Sequence, residues 1–296
     1  MTLLKYITLI IFIIVAAVFV LNFLQLIKSY FFPQNYCERK FMAHKNKPMI
    51  FGHRGDSGNF PENTIESLTK ALQKGADGLE FDIRLSGDNE IVVYHDDTLE
   101  RLTEGEGRVN DYLLSDLQKL DAGYKFMKDN KFPFRGEGIT VPTLKRVLAE
   151  LPEVPIIIEL KDNNQALINK LVGILKSHSA EDRVLLGGFD YQVIKMLRQR
   201  LPEVPTAATK REALAFYVLA HLGIAGWLSW KFQAFTLPTH YYGLPVLTPF
   251  FRAAARAAGI KLYIWTVNDF AEFQELVEKG VDGILTDYPG KMAKQF

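Results

Sequence analysis

Apolar positions run through this chain in two rhythms. From Tyr6 to Ile27 the stretch "YITLIIFIIVAAVFVLNFLQLI" carries no charge and only a few weakly polar residues. A helix of that length, at ~1.5 Å per residue, crosses a hydrocarbon layer ~30 Å thick. Beyond a more polar stretch, Ser29 to Lys47, short apolar runs alternate with segments of helical period. The runs predict strands at Met49–Gly52, Gly78–Leu85, Glu90–His95, Pro155–Lys161, Val184–Gly187, Leu262–Thr266 and Gly283–Thr286, with a weaker one near Thr206. Helical periods fall between them, at Thr64–Lys74, Leu144–Leu151, Gln165–His178, Tyr191–Arg200, Pro249–Ala258 and Phe270–Lys279. Such alternation predicts parallel strands joined by crossover helices.

Two stretches echo each other, "KGADGLEFD" (Lys74–Asp82) and "KGVDGILTD" (Lys279–Asp287). In each, a helix closes at Lys, a glycine is free to take the left-handed cap, and Asp-Gly leads into a strand. Asn63 with Glu66, and Asp269 with Glu272, have capping-box spacing ahead of the two helices. A shared αβ unit at both ends, about eight strands and ~250 residues favour a closed (β/α)8 barrel over an open sheet. The expected layout is a transmembrane helix over 1–28, a linker over 29–47 and a barrel over 48–296. Two excursions interrupt the rhythm, Thr98–Val141 and the strongly apolar Ala213–Pro249.

Composition narrows the class. The chain has 296 residues, 48% hydrophobic, with a formal net charge of +1, so nothing argues for a nucleic-acid partner. A single cysteine, Cys37, excludes an internal disulfide, and there is no zinc-type Cys/His cluster. The N-terminal run is longer than the ~7–15 residues of a signal-peptide core and no Ala-x-Ala site closes it. An uncleaved, single-pass membrane anchor is therefore expected. Lys5 lies on one side of it and Lys28, Arg39, Lys40, Lys45 and Lys47 on the other, so the positive-inside tendency puts the barrel in the cytoplasm.

Side chains two apart on a strand share a face. In "GLEFDIR", Glu80 and Asp82 therefore point one way and Leu79, Phe81 and Ile83 the other; "PIIIELK" repeats the pattern with Glu159 and Lys161. "EIVVYHD" ends in His95 and Asp96, and "MIFGHRG" in His53 and Arg54. Ionisable groups thus gather at strand C-terminal ends, where barrel enzymes build their sites. Three carboxylates without cysteine suit a hard cation such as Mg²⁺ or Ca²⁺. Two histidines can divide general-acid and general-base work, and Arg54 and Lys161 offer fixed charge for an anion. A metal, two cations and a histidine pair fit a phosphodiester better than a peptide or a sugar.

The combination "HRG…PENT", "GLEFDIR", "VVYHDDTLERLTEGEG", "IIIELK", "WTVND" and "VDGILTDYP" resembles the glycerophosphodiester phosphodiesterase family from about Ile50 to Pro289. The resemblance implies a TIM barrel of the phosphodiesterase type that hydrolyses glycerophosphodiesters to an alcohol and glycerol phosphate. It implies metal binding by Glu80, Asp82 and Glu159, acid–base catalysis by His53 and His95, and substrate binding by Arg54, Lys161, Trp265 and Glu62. Attack by the neighbouring glycerol hydroxyl and attack by water both remain open, as does which histidine is the acid. Ala213–Phe235, with Trp227 and Trp230, reads equally as a crossover helix on the barrel or as an interfacial segment touching lipid. The second reading makes a lysophospholipid, cleaved as by a lysophospholipase D, the alternative substrate. A lipid-binding barrel without turnover is a further reading that loss of a carboxylate or histidine would favour, and none is lost.

Overall fold

A computed structural model of the chain describes residues 2–32, 41 and 47–295. Most of the expected linker, with Cys37, lies outside them. The N-terminal run forms one helix, α1 (Thr2–Phe31), and an 18-residue window within Lys5–Phe31 has a mean hydropathy of 3.0.

The parallel strands are β1 (Met49–His53), β2 (Gly78–Leu85), β4 (Ile156–Leu160), β5 (Val184–Gly188), β6 (Ala234–Leu237), β9 (Lys261–Ile264) and β10 (Gly283–Thr286). They run in the order β5-β4-β2-β1-β10-β9-β6. Parallel bridges Leu186↔Thr206 and Ala207↔Ala234 connect the two ends of this path. The weak strand expected near Thr206 is therefore the eighth stave of the barrel, reduced to two bridging residues. Crossover helices α2 (Ile65–Gln73), α4 (Leu144–Glu150), α5 (Gln165–Ser177), α6 (Tyr191–Arg200), α7 (Lys210–His221), α8 (Pro249–Ala258) and α9 (Phe270–Glu278) follow, and α10 (Pro289–Ala293) ends the fold. The Thr98–Val141 excursion contains a 3-10 turn at Val109–Asp111 and a short α-helix, α3 (Leu114–Leu117), and packs through Val109, Leu117, Ile139 and Val141 against Val92 and Tyr94.

Three expectations need correction. The run at Glu90–His95 gives only β3 (Ile91–Val93), which pairs antiparallel with β2 and is no stave of the barrel. The alternation of β and α made it look parallel, but a short turn after β2 leaves room only for a hairpin. Second, β6 sits inside what reads as an apolar excursion, because its strand signal merges with its apolar surroundings. A small hairpin, β7 (His240–Tyr241) and β8 (Leu244–Pro245), follows it. Third, α2 is capped by Thr64, whose hydroxyl accepts from Ser67 N, and not by Asn63.

The echoing stretches do form matching units. The helices close at Lys74 and Lys279, and Gly75 and Gly280 have φ of 96° and 70°. Asp77 accepts from Ile50 N, and Asp282 from Leu262 N, so each carboxylate ties its incoming strand to the preceding one.

Leu79, Phe81 and Ile83 pack outward into the layer between sheet and helices. Phe51, Ile157, Leu185, Tyr263 and Leu285 fill the barrel interior together with Phe41, which is fully buried. Within Ala213–Phe235, Phe216, Ala220, Ala225, Phe232 and Phe235 are core, as a crossover segment requires, while Leu214, Val218, Leu222, Trp227 and Leu228 are exposed.

Candidate active site

The C-terminal ends of β1, β2 and β4 place His53, Arg54, Glu80, Asp82, Glu159 and Lys161 side by side. Parallel register alone does much of this, since His53 pairs with Glu80 and Asp82 with Glu159. At Arg54 the backbone turns out of β1 with φ 55°, a conformation that costs a side-chain-bearing residue ~1–2 kcal/mol. The turn lets Arg54 N donate to both Glu80 O at 2.9 Å and Glu80 Oε2 at 3.0 Å, which offsets that cost.

Oxygens of Glu80, Asp82 and Glu159 all lie within 4.8 Å of one another. Glu80 and Asp82 are buried, 3% and 1% exposed, where a bare carboxylate is costly. Lys161 Nζ lies 3.0 Å from Asp82 and 2.8 Å from Glu159, and Arg54 Nε lies 3.1 Å from Asp82. Burial opposes ionisation of Asp82, but Lys161 and Arg54 outweigh it and hold its pKa below the usual range. Glu80 lacks such pairing, and burial together with repulsion from Asp82 pushes its pKa up. A hard oxygen donor set with surplus negative charge is what a divalent cation neutralises, so these residues fit the metal that the sequence implies.

The two histidines are held differently. His53 Nδ1 is 2.7 Å from Asp287 Oδ1, and Asp287 is itself fixed by Asn268 and Ser57. Burial lowers the His53 pKa, but the Asp287 hydrogen bond and the nearby Glu80 charge win and raise it. His95 Nδ1 is 2.6 Å from Asp96 Oδ1. That carboxylate is already engaged by Arg101, whose Nε lies 2.5 Å from Asp96 Oδ2. Burial, with Arg54 and Lys161 nearby, keeps the His95 pKa below its ordinary value.

Arg101 also grips Glu62 through two nitrogens at 2.8 Å, while Arg54 Nη1 holds the same carboxylate at 2.8 Å. Glu62 thereby links the Arg54 side of the site to the His95 side. Asn63, with φ 60°, donates to Asp82 Oδ2 at 3.0 Å. Trp265, just past β9, is half-buried against the interior cluster. Every residue singled out from the sequence thus lies at this end of the barrel. Asp287, Asp96, Arg101 and Asn63 join them; sequence patterns gave the first three no role and gave Asn63 only that of a helix cap. All four sit in stretches quoted above, yet nothing in local spacing says that Asp287 reaches His53 from the far end of the chain.

Residues 53–291 match the glycerophosphoryl diester phosphodiesterase family. A glycerophosphodiester phosphodiesterase of Caldanaerobacter subterraneus subsp. tengcongensis is 31% identical over 82% of this chain and 95% of its own length. The human lysophospholipase D GDPD1 is 26% identical over 85% of this chain and 88% of its own. Among solved structures, an Oleispira antarctica phosphodiesterase in complex with the product sn-glycerol-3-phosphate superposes with a TM-score of 0.69 at 28% identity, covering 84% of this chain and 98% of that one.

Proposed function

Because the chain belongs to the glycerophosphoryl diester phosphodiesterase family, we propose that it hydrolyses glycerophosphodiesters to an alcohol and glycerol phosphate in a metal-dependent reaction. The observation that carries this reading is the carboxylate trio, buried at Glu80 and Asp82 and half-buried at Glu159, flanked by two histidines whose pKa values are pushed apart. A divalent cation, Mg²⁺ or Ca²⁺, held by Glu80, Asp82 and Glu159 would supply Lewis-acid charge at the phosphate. Arg54 and Lys161 hold the non-bridging oxygens, and Trp265 walls the pocket. Glu62 keeps the Arg54 guanidinium in place.

Groups whose environments separate their pKa values divide acid and base roles. His95, kept neutral, takes the proton from the attacking hydroxyl, whether that of water or of the adjacent glycerol carbon. The new P–O bond forms as the bond to the leaving alcohol breaks. His53, whose proton Asp287 favours, gives it to the departing oxygen. Where the glycerol hydroxyl attacks, the product is a cyclic phosphate, which water then opens to glycerol phosphate with the two histidines exchanging roles.

A second reading has its own observation. The hairpin at the mouth of the barrel exposes Tyr242 (89%) and Leu244 (64%), an apolar tip suited to the acyl chain of a lysophospholipid. In this reading α1 anchors the enzyme as a single pass with the barrel in the cytoplasm; protease protection in sealed vesicles tests the side. Phosphorus NMR of the full chain in detergent, offered glycerophosphocholine and lysophosphatidylcholine with Mg²⁺ or Ca²⁺ or a chelator, tests the chemistry. Metal-dependent product, lost in His53→Ala and Glu80→Gln, is expected; turnover that ignores the chelator, or survives His53→Ala, overturns it.

A further inference from the structure

α1 is not a free tether. From Asn22 onward, one face of this otherwise apolar helix turns polar and is bonded to the barrel. Asn22 Nδ2 donates to His221 O at 3.0 Å, and Gln25 Nε2 to Ala220 O at 3.4 Å and Phe250 O at 3.5 Å. Gly226 N donates back to Gln25 Oε1 at 3.0 Å, and Lys28 Nζ reaches Gly226 O at 2.6 Å while lying 4.8 Å from the centre of the Trp227 ring. Gln25 is fully buried. The seat is cut to fit: a Cβ at Gly223 would lie 2.6 Å from the backbone of Leu21 and Asn22. A Cβ at Gly226 would meet Ala257 at 2.9 Å and Gln25 at 3.1 Å.

The order of these contacts gives a direction. Asn22 meets His221, whose ring bonds Thr248 at the start of α8. Gln25 meets Phe250 in the first turn, and Lys28 meets Gly226, which packs on Ala257 in the last turn. α1 therefore runs alongside α8 in the same sense. α8 begins at the mouth of the barrel, because the chain reaches it from the C-terminal end of β6 through the hairpin. The largely exposed part of α1, Tyr6 to Val20, thus continues past the mouth end, and it offers about 22 Å of uncharged apolar helix at ~1.5 Å per residue. With the Lys5 side chain reaching out to the far headgroups, that crosses most of a hydrocarbon layer of ~30 Å.

On the same side, other apolar side chains lie exposed. The hairpin presents Tyr241, Tyr242 and Leu244, and α7 presents Leu214, Val218 and Leu222 at helical spacing. Hairpin and helix are joined, since Tyr217 Oη donates to Pro245 O at 3.3 Å and Lys210 lies 5.4 Å from the Tyr241 ring. Exposed apolar surface of this extent marks an interaction site, and its continuity with α1 identifies the occupant.

We propose that the docked end of α1 mounts the barrel mouth-first on the bilayer, with the hairpin and the outer stripe of α7 set in the lipid headgroup region. The proposal rests on the reading of α1 as a membrane span and is independent of the chemistry assigned to the site. Substrate then enters from the membrane side.

The test uses full-length Cys37→Ser protein in phosphatidylcholine–phosphatidylglycerol vesicles. Spin labels are placed singly at Leu244→Cys, Val218→Cys and, as a control at the far end of α5, Lys176→Cys. The ratio of oxygen to aqueous nickel-chelate collisions is expected to be severalfold higher at 244 and 218 than at 176. Adding Gly223→Val, which unseats α1, should bring 244 and 218 down to the control value while the protein still resists alkaline carbonate extraction. Aqueous values at 244 and 218 in a carbonate-resistant protein overturn the mounting but leave the span. Extraction by carbonate overturns both, and dipolar coupling between labels at 218 would instead assign the surface to a second copy.

Discussion

Asp287→Asn is the sharpest probe of the site. Asp287 Oδ1 accepts from His53 at 2.7 Å and from Ser57 at 2.9 Å, and Oδ2 accepts from Asn268 at 2.6 Å. An asparagine keeps the shape, but its amide must face one of these donors with a donor of its own. A hydrogen bond involving a charged group contributes ~1.5–3 kcal/mol. At ~1.36 kcal/mol per tenfold, losing it while His53 carries the transferring proton lowers kcat about 10- to 150-fold. The loss should sit in kcat with KM nearly unchanged, because Asp287 acts through His53 and holds no substrate. Steady-state kinetics on a glycerophosphodiester at saturating Mg²⁺ measures this, with a melting curve to show that the barrel is intact. Asn268→Ala, which only loosens Asp287, should give a smaller loss of the same kind. A kcat within a factor of about 2 of the parent, or a loss confined to KM, would refute the role given to Asp287 and with it the assignment of His53 as acid.

Phe41→Ala should remove an aromatic plug from the interior and cost ~3–5 kcal/mol, seen as a fall in Tm of about 6 to 20 °C; an unchanged Tm would mean that Phe41 does not fill the barrel. Asp96 should contribute acid-sensitive stability: burial opposes its charge, but hydrogen bonds from Arg101 and His95 hold its pKa at about 2. Its folded value lies below the unfolded ~3.9, so the contribution is complete above pH ~4 and fades as pH falls towards 2, a range in which His95 is already protonated. Urea midpoints of the parent and of Asp96→Asn should converge over that window, and parallel curves would contradict the assignment. Asn63→Gly and Asn63→Ala lose the same bonds to Asp82, but only alanine also bears the left-handed backbone, so alanine should be the less stable by ~1–2 kcal/mol in urea unfolding.

Legibility in the sequence followed distance along the chain. The Glu80/Asp82 and Glu159/Lys161 pairs were readable because strand periodicity fixes which side chains share a face. The αβ units ending at Lys74 and Lys279 were readable because caps and left-handed glycines are local signals. What could not be read depends on contacts between remote segments. Asp287 is placed next to His53 by the closing of the ring, and Arg101 reaches Glu62 from an irregular loop. β3 was misassigned in direction because periodicity carries no information about strand polarity. The Asn63 error has a similar origin, since Glu66 three residues on gives Asn63 the capping-box spacing, while its neighbour Thr64 has Ser67 there. Only the fold shows that Asn63 is taken by Asp82. The polar positions Asn22 and Gln25 stood in plain view within the N-terminal run, but their meaning lies in the surface that receives them.

The pairing of β1 with β10 joins Met49 to Gly283 and Gly52 to Thr286. The barrel therefore closes between the two extremes of its own sequence, and this bears on how the chain is made. Until β10 has been made, one edge of β1 has no neighbour, although its residues Met49 to Gly52 are buried in the finished barrel. Contacts of such long sequence separation form late, and open apolar strand edges invite association with other chains. With α1 inserted in a bilayer as proposed above, the chain would wait in that state on a surface, where diffusion in two dimensions brings like chains together. The interval between emergence of β1 and arrival of β10 is thus the vulnerable stage in the biogenesis of this protein.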